Sequence, residues 1–208
     1  MKFFRVLSGI SLFKKNLLRI AEMPDIVINR GDAATPRLQE TMPVVLVLDR
    51  LRSAHNAGNI FRLAEATRAE KILACGYTPA PPHPKLAKTA RGCDLAVPCE
   101  IFPDAASAIL SLKQQGYCIY GVETAATAEY YWHTELKFPA ALVLGNEALG
   151  ISENALPLCD HFISLPALGS KNSINVGNCA AVVLFEALRQ WLMQGTGCRG
   201  QGAGIATF

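Results

Sequence analysis

The stretch VVLVLDRLRSAHNAGNIFRLAEAT, residues 44–67, decides the fold because it joins two regular patterns. Residues 44–49 are almost all apolar, which is typical of a strand that is buried on both faces. The residues from Arg52 to Thr67 follow with the pattern of a helix. A buried strand that leads into a helix is the repeating unit of α/β proteins.

Five more short apolar runs follow along the chain and alternate with helical patterns. These runs are residues 71–76, 95–102, 117–123, 140–145 and 161–166. Helical periodicity covers residues 103–115, and a long, mostly apolar helix is predicted over residues 174–194. The sequence therefore predicts an α/β fold with a mainly parallel sheet that is covered by helices on both faces.

The composition is that of a globular protein. The chain has 208 residues, of which 50% are hydrophobic and 18% are charged, enough for one main domain with a proper core. No apolar run is long enough to cross a bilayer, so we expect no membrane partner. The seven cysteines include no C-x-x-C pair. This disfavours a metal site or a disulfide framework and indicates buried thiols in a reducing cytoplasm.

Three regions are predicted from the distribution of charge and glycine. Residues 1–40 are interpreted as a basic N-terminal helical extension, residues 41–194 as the α/β domain, and residues 195–208 as a flexible Gly-rich tail. The extension holds seven Lys/Arg and four Asp/Glu, which accounts for the whole net charge of +3. A polyanion such as RNA would therefore be met by the extension or by local basic sites.

The segment from Tyr77 to Asp94 interrupts the alternation. It contains four prolines within residues 79–84, which predicts a long irregular surface loop. Lys85, Lys88 and Arg91 lie in this segment. It is interpreted either as a solvated linker or as a contact for the substrate.

Polar residues and glycines follow the two apolar runs that precede the last helix. In open α/β sheets, ligands bind at the carboxyl ends of the strands. After residues 140–145 come Asn146 and Glu147, and Gly150 precedes what is predicted to be a new helix. After residues 161–166 comes a segment that ends at Ser173, Ile174, Asn175 and Val176. Taken singly, the glycines could serve turns and Ser173 could cap the last helix.

Three blocks of sequence together resemble the three motifs of the SpoU (TrmH-like) family of SPOUT RNA methyltransferases. They are N-x-G-x-x-x-R at residues 56–62, L-G-N-E at residues 144–147 with Gly150, and L-P-x-x-G-x-x-x-S-I-N-V at residues 165–176. The resemblance implies a C-terminal deep trefoil knot, a homodimer and the cofactor S-adenosylmethionine. It also implies methylation of a ribose 2′-hydroxyl in tRNA or rRNA. The forty or so residues before the first strand are too few for a separate RNA-binding domain, which slightly favours tRNA.

The resemblance also implies roles for individual residues. Arg62 would hold the ribose 2′-oxygen and the adjacent phosphate, Asn56 would orient Arg62 or the substrate, and the helix N-terminus would offer amides to phosphate. Glu147 would anchor Arg62 or Asn56, and Asn175 would form a hydrogen bond near the ribose. Gly58 would let nucleic acid approach closely. The cofactor would be bound by Thr124, Gly145, Asn146, Leu165, Ser173, Ile174 and Val176.

The sequence departs from the family pattern at two positions and leaves other functions open. Ala148 stands where the family usually has glycine, and Gly177 where serine is common. A second enzymatic interpretation is methylation of a base nitrogen, although Asn56 and Arg62 favour ribose. A third is a non-catalytic RNA-binding protein on the same scaffold. The non-functional interpretation of Arg62 is a solvated residue that pairs with Glu65 or Glu70.

Overall fold

The computed structural model describes residues 40–194, and seven parallel strands form its sheet. The predicted extension and the Gly-rich tail therefore lie outside the described residues. The strand order is β3-β2-β1-β6-β4-β7-β5. The strands are β1 (Met42–Asp49), β2 (Ala69–Cys75), β3 (Cys99–Phe102), β4 (Cys118–Val122), β5 (Glu129–Tyr130), β6 (Ala140–Leu144) and β7 (His161–Ser164).

Five α-helices accompany the strands, and side chains cap most of them at the start. They are α1 (Ala54–Thr67), α2 (Pro84–Ala90), α3 (Cys93–Ala96), α4 (Ala105–Gln114) and α5 (Val176–Met193). Ser53 caps α1 by accepting a hydrogen bond from the Asn56 amide, and Asp104 caps α4 by accepting one from the Ser107 amide. α1 ends at Arg68, which adopts a left-handed conformation.

The core lies on both faces of the sheet, as predicted. Alternate residues of a strand point to opposite faces, and those of β1 divide in this way. Leu46 and Leu48 pack with α1 and α5, whereas Val45 and Val47 pack with α4. All four side chains are fully buried. The prediction of a helix-covered parallel sheet is confirmed.

The strand order brings the carboxyl ends of four strands to one edge. β6 lies between β1 and β4, with Leu144 opposite both Leu48 and Val122. Val122 in turn lies opposite Ile163 of β7. The segments that follow β1, β4, β6 and β7 therefore start side by side, and we call this the carboxyl edge of the sheet.

Several local predictions were wrong. The segment from Tyr77 to Asp94 is not wholly irregular, because Pro84 starts α2 at a position that needs no backbone donor. The run at residues 95–102 begins in α3, so its strand is shorter than predicted. No α-helix forms between Gly150 and β7, where the structure has only a short 3-10 turn, Leu156–Leu158. The two residues of β5 were not predicted.

Six of the seven cysteines lie in the part of the chain that the structure describes. All six are free thiols. Burial raises the pKa of Cys75 to about 12 and the pKa of Cys159 to about 11, so these groups stay protonated near neutral pH. None of the helices between residues 40 and 194 is long and apolar enough to span a bilayer.

Candidate active site

A chain of hydrogen bonds joins the three sequence blocks at the carboxyl edge. The side-chain amide of Asn56 donates to the Glu147 carboxylate at 3.0 Å and accepts at its oxygen from the Asn175 side chain at 3.2 Å. Asn175 also caps α5, because its oxygen accepts from the amides of Gly177 and Asn178. The structure therefore brings together three predicted site residues that are 91 and 119 positions apart in sequence.

Glu147 binds the start of α1. Its two carboxylate oxygens accept from the backbone amides of Arg52 at 2.9 Å and Ser53 at 3.1 Å, in addition to the bond from Asn56. Partial burial opposes ionisation, but the hydrogen bonds from Arg52, Asn56 and Ser53 outweigh it and hold the pKa of Glu147 below its usual value of 4.5. Glu147 thus anchors Asn56, one of the two partners expected for it.

The same contacts decide what the start of α1 can bind. Ser53 caps the Asn56 amide, and Glu147 occupies the two amides that precede the helix. A carboxylate is favoured at this position by the positive end of the helix dipole. These three amides are therefore satisfied within the protein. The expectation that this helix terminus offers amides to a phosphate stays a prediction for the amides of Ala54 and His55, which have no hydrogen-bond partner among the described residues.

Asn146 holds the loop after β6 in place. Its side-chain amide donates to the Arg50 carbonyl at 2.5 Å and to the Tyr77 hydroxyl at 3.0 Å, and its side-chain oxygen accepts from the amides of Ala148 and Leu149. Its backbone exchanges two hydrogen bonds with Gly150. The side chain and the backbone N–H of Asn146 are therefore already paired, and only its carbonyl oxygen could accept a further hydrogen bond. A contact of Asn146 with a ligand stays a prediction.

Two glycines allow close approach of backbone segments in this loop. A Cβ at Gly145 would overlap the backbone of Gly150 and Ile151. Gly150 has a φ of +69°, and a Cβ there would overlap the Glu123 carboxylate. Both positions therefore require glycine.

Glu123 ties the segments after β4 and β6 together, a role that was not predicted from the sequence. Its carboxylate accepts from the amide of Ile151 at 3.2 Å and from the amide of Thr124 at 2.9 Å. The sequence contained an indication of this role, because Glu123 is a charged residue at the end of the apolar run at residues 117–123. Asp49, which ends β1, was missed as a loop anchor in the same way: it is buried and accepts from the Ser152 amide at 2.6 Å.

The loop that precedes α5 exposes its backbone. Leu165 is half-buried, whereas Ser173, Ile174 and Asn175 are exposed. Within the described chain, no backbone N–H between residues 167 and 174 has a hydrogen-bond partner. Unpaired backbone groups beside a half-buried leucine suit a ligand with a flat heterocycle and polar edges. The residues present therefore fit a nucleoside cofactor.

Ser173 was considered as a possible N-cap of the last helix, but it does not cap α5. Asn175, not Ser173, is the N-cap residue. Both types of side chain can cap a helix, so the sequence alone did not separate them. Ser173 is left exposed beside Ile174, and Val176 is the first residue of α5.

Arg62 lies on α1, and its side chain is available to a ligand. The residue is exposed, and within residues 40–194 no hydrogen bond or ion pair involves its guanidinium. It does not pair with Glu65 or Glu70, as the non-functional interpretation expected. Glu70 instead accepts a hydrogen bond from the Tyr117 hydroxyl at 2.6 Å.

Gly58 has a different role from the one predicted. A Cβ at this position would overlap the side-chain oxygen of Thr89 in α2 and would lie 2.9 Å from the Ala90 amide nitrogen. Thr89 fills this space and donates its hydroxyl hydrogen to a backbone carbonyl, with the Ala54 oxygen at 3.0 Å. The prediction that the space receives nucleic acid is wrong, because it lets α2 pack against α1.

The two departures from the family pattern are accommodated. Ala148 has no positive φ, and its amide donates to Asn146, so an alanine fits this turn. A Cβ at Gly177 would lie 3.0 Å from the side-chain nitrogen of Asn59 and 3.2 Å from the side-chain oxygen of Asn175. Gly177 thus gives these two amide side chains room. Within the described part of the chain, no group of three or more His, Cys, Asp or Glu residues is placed to hold a metal ion.

Sequence comparison relates the chain to RNA methyltransferases. The model of the SpoU rRNA Methylase family matches residues 43–185. The 23S rRNA (guanosine-2'-O-)-methyltransferase RlmB of Ralstonia nicotianae is 34% identical over 151 residues, which make up 73% of this chain and 60% of that protein. The chain therefore spans less than two thirds of that relative. The tRNA (guanosine(18)-2'-O)-methyltransferase of Thermus thermophilus is 31% identical over 171 residues, 80% of this chain and 87% of that protein.

Structural comparison agrees with this relationship. The crystal structure of the SpoU methyltransferase AviRb from Streptomyces viridochromogenes, in complex with the cofactor AdoMet, matches with a TM-score of 0.67 and 25% sequence identity. The match covers 76% of this chain and 64% of AviRb. It includes the mainly parallel α/β sheet described above.

Proposed function

The chain belongs to the SpoU rRNA Methylase family, and we propose that it transfers a methyl group from S-adenosylmethionine to a ribose 2′-hydroxyl of tRNA or rRNA. The hydrogen-bonded cluster of Glu147, Asn56 and Asn175 carries this proposal, because it joins all three motif segments at the ligand-binding edge of the sheet. Arg62 stands on the same helix as Asn56, and its guanidinium is unpaired within the described residues.

The residues that would hold the cofactor offer it mainly backbone groups. The open segment from Leu165 to Val176 would supply the donors for its polar edges, because the amides of residues 167–174 have no partner within the described chain. Gly145, Asn146 and Thr124 would contact the cofactor from the neighbouring segments after β6 and β4. Bound there, the cofactor supplies an activated methyl carbon as the electrophile. The protein's own task is then to place the ribose oxygen in line with that carbon and to help remove the hydroxyl proton.

Arg62 positions the nucleophile. A guanidinium has a planar fork of N–H donors, so it can hold the ribose 2′-oxygen and the neighbouring phosphate together. It also stabilises the negative charge that develops on the oxygen as the proton leaves. Because a guanidinium hardly deprotonates, the proton passes to a phosphate oxygen or to water rather than to Arg62. Asn56 acts as a positioning residue, since it fixes the start of the helix that carries Arg62.

The proposed fold includes a deep trefoil knot at the carboxyl edge. β6 runs between β1 and β4, and the loop after it is held against the segment after β4 by Glu123 and Gly150. This packing of segments from distant parts of the chain supports threading of the C-terminal segment.

The active form is proposed to be a cytoplasmic homodimer. Phe185 of α5 is 51% exposed, and Leu168 in the preceding loop is 93% exposed. Large apolar side chains at these exposures are typical of a surface that another subunit covers. Ile174, which is also exposed, would extend this surface towards the cofactor loop.

Replacing Arg62 with alanine tests the proposal. The Arg62→Ala variant should lose methyl transfer by at least about a hundredfold, as expected when a transition-state interaction is removed, while its affinity for S-adenosylmethionine is unchanged. Glu65→Ala is the matched control, because Glu65 is exposed on the same helix three positions later. It should retain activity. Wild-type turnover in Arg62→Ala would refute the assignment of Arg62.

Two measurements separate the other interpretations. Alkaline digestion of the methylated RNA should leave an uncleaved bond at the modified nucleotide, since a 2′-O-methyl group blocks cleavage there. Complete cleavage would indicate a methylated base. An equilibrium titration with S-adenosylmethionine should show binding, and absence of binding would favour a non-catalytic RNA-binding protein.

A further inference from the structure

A basic groove lies between the start of α1 and α2, beside the candidate active site. It has a volume of about 560 Å³. Arg52 and His55 line one side, and His83, Lys85 and Lys88 line the other. The hydrogen bond between the Thr89 hydroxyl and the Ala54 carbonyl joins the two walls. We name this feature the α1–α2 groove.

The charges of the α1–α2 groove have one sign. Three of its lining side chains are permanent cations, and no carboxylate of the described residues lines it. Lys85 and Lys88 are exposed, and neither forms an ion pair with the described residues. His83 accepts a hydrogen bond at Nδ1 from the Leu86 amide, so its Nε2 carries the hydrogen and can donate. The groove therefore offers several donors and positive charge to an anionic ligand.

The geometry points to a ligand that also reaches Arg62. On a helix, residues at i, i+4 and i+7 lie on one face, and His55, Asn59 and Arg62 have this spacing. Seven residues of helix rise by about 10 Å, which corresponds to about three nucleotides at the roughly 3.4 Å rise per nucleotide of a stacked strand. A strand with its target ribose at Arg62 would thus place neighbouring phosphates in the groove.

We infer that the α1–α2 groove binds the sugar–phosphate backbone of the substrate RNA about three nucleotides from the methylated ribose. This inference rests on the proposed function and names the path of its substrate. Among residues 40–194, no Phe, Tyr or Trp side chain lines the groove on which a base could stack. Binding there is therefore independent of sequence and acts through phosphate charge.

The inference is tested with the full chain and an unmodified tRNA transcript. Lys85→Gln and Lys88→Gln each remove one charge from an exposed position of α2, and the double variant removes both. The affinity of the double variant should fall on the order of tenfold at about 0.1 M salt. The slope of log affinity against log salt should shrink by about 1.4, or about 0.7 for each phosphate that a lysine no longer neutralises. The KM for RNA should rise while kcat at saturating RNA is unchanged.

Lys137→Gln is the matched control. Lys137 is exposed but precedes β6, at the amino edge of the sheet. Its affinity and salt slope should equal those of the wild type. The two single lysine variants keep the test valid if the double variant does not fold.

Three results would overturn the inference. They are an unchanged salt slope in the lysine variants, an equal loss of RNA affinity in Lys137→Gln, or a parallel loss of S-adenosylmethionine affinity, which would assign the groove to the cofactor. RNA binding is measured without turnover. Failure of the wild type to bind S-adenosylmethionine or to methylate RNA would instead refute the proposed function. The RNA-binding comparison between wild type and lysine variants does not depend on methylation, so the two failures can be told apart.

Discussion

Replacing Glu147 with glutamine tests whether one carboxylate couples the loop after β6 to α1. One oxygen of Glu147 accepts from the Ser53 amide and the Asn56 side chain, and the other accepts from the Arg52 amide. Glutamine has nearly the same shape, so its carbonyl oxygen can keep the first pair of bonds. Its NH₂ group would then face the N–H of Arg52, donor against donor, and the negative charge would be removed.

The expected cost follows from these hydrogen bonds. A hydrogen bond to a charged group contributes about 1.5–3 kcal/mol, and a negative charge at a helix N-terminus contributes about 0.3–1 kcal/mol. Glu147 is exposed, so water compensates for part of this stabilisation and salt screens the rest. We therefore expect Glu147→Gln to lower the free energy of unfolding by about 1 kcal/mol, or about 2–4 °C in Tm for a domain of this size.

The pH dependence gives this prediction a sign. The pKa of Glu147 is held below its usual value of 4.5 in the folded protein. A lowered carboxyl pKa stabilises the fold above the unfolded pKa, and this stabilisation is lost as pH falls through the folded pKa. The difference between wild type and Glu147→Gln should thus be constant near neutral pH and shrink below about pH 4.5.

Urea unfolding of both proteins at neutral and acid pH measures this difference. Glu153→Gln is the control, because Glu153 is exposed in the same segment and makes no hydrogen bond or ion pair with the described residues. It should have the stability of the wild type at each pH. Equal stability of Glu147→Gln and wild type at neutral pH would refute the coupling, as would a difference that persists in acid.

Two further predictions concern packing and thiol chemistry. Gly58→Ala should destabilise the domain by about 1–2 kcal/mol in urea unfolding. The added Cβ would overlap the Thr89 side chain and press on the Ala90 backbone, which places the overpacking cost at about 2–3 kcal/mol, and the gain in helix propensity of about 1 kcal/mol offsets part of it. An unchanged or raised stability would contradict the close packing of α1 and α2. Burial raises the pKa of Cys75 to about 12, so at about pH 8 this thiol should react with a disulfide reagent only after unfolding. Mass mapping of labelled peptides checks this, and rapid labelling of Cys75 in the folded protein would show that it is accessible.

The fold was predicted from sequence wherever a pattern repeats. The six short apolar runs predicted six of the seven strands, although the strand in the run at residues 95–102 is shorter than expected, because burial on both faces leaves a continuous apolar signal. β5 has two exposed residues and therefore no such signal. The order of the strands was not predicted, since alternation of strands and helices does not specify where each crossover places its strand.

The site was predicted as a set of residues but not as a set of contacts. Hydrogen bonds join Asn56, Glu147 and Asn175, and the bond between Asn56 and Asn175 was not predicted. Their catalytic roles stay predictions. The partner of Glu147 was left open between Arg62 and Asn56, because both are polar and lie on one helix. Every residue except proline has a backbone amide, so a sequence does not show which amides donate to a carboxylate. The hydrogen bonds of Glu147 with Arg52 and Ser53 are therefore visible only in the three-dimensional structure.

Gly58 shows that a residue of a functional motif can be needed for packing rather than for ligand binding. Glycine in a helix interior is unfavourable, so a gap beside the predicted active site suggested space for a ligand. The gap is filled by Thr89 from a segment whose prolines had been taken to exclude helices. Once Pro84 is placed at the first position of α2, the same proline favours the helix that needs the gap.

These interactions fix α1 at both the cofactor side and the substrate side of the proposed reaction. Glu147 holds its start against the loop that follows β6, and Thr89 holds it against α2. The buried face of α1 packs on the sheet and α5, which leaves the face with His55 and Arg62 exposed. A rigid helix can align the ribose 2′-oxygen with the methyl carbon only if the helix has a fixed position relative to the site that holds the cofactor. In the proposed reaction Glu147 would provide this connection, so we expect its replacement to misalign the ribose even where Arg62 is intact.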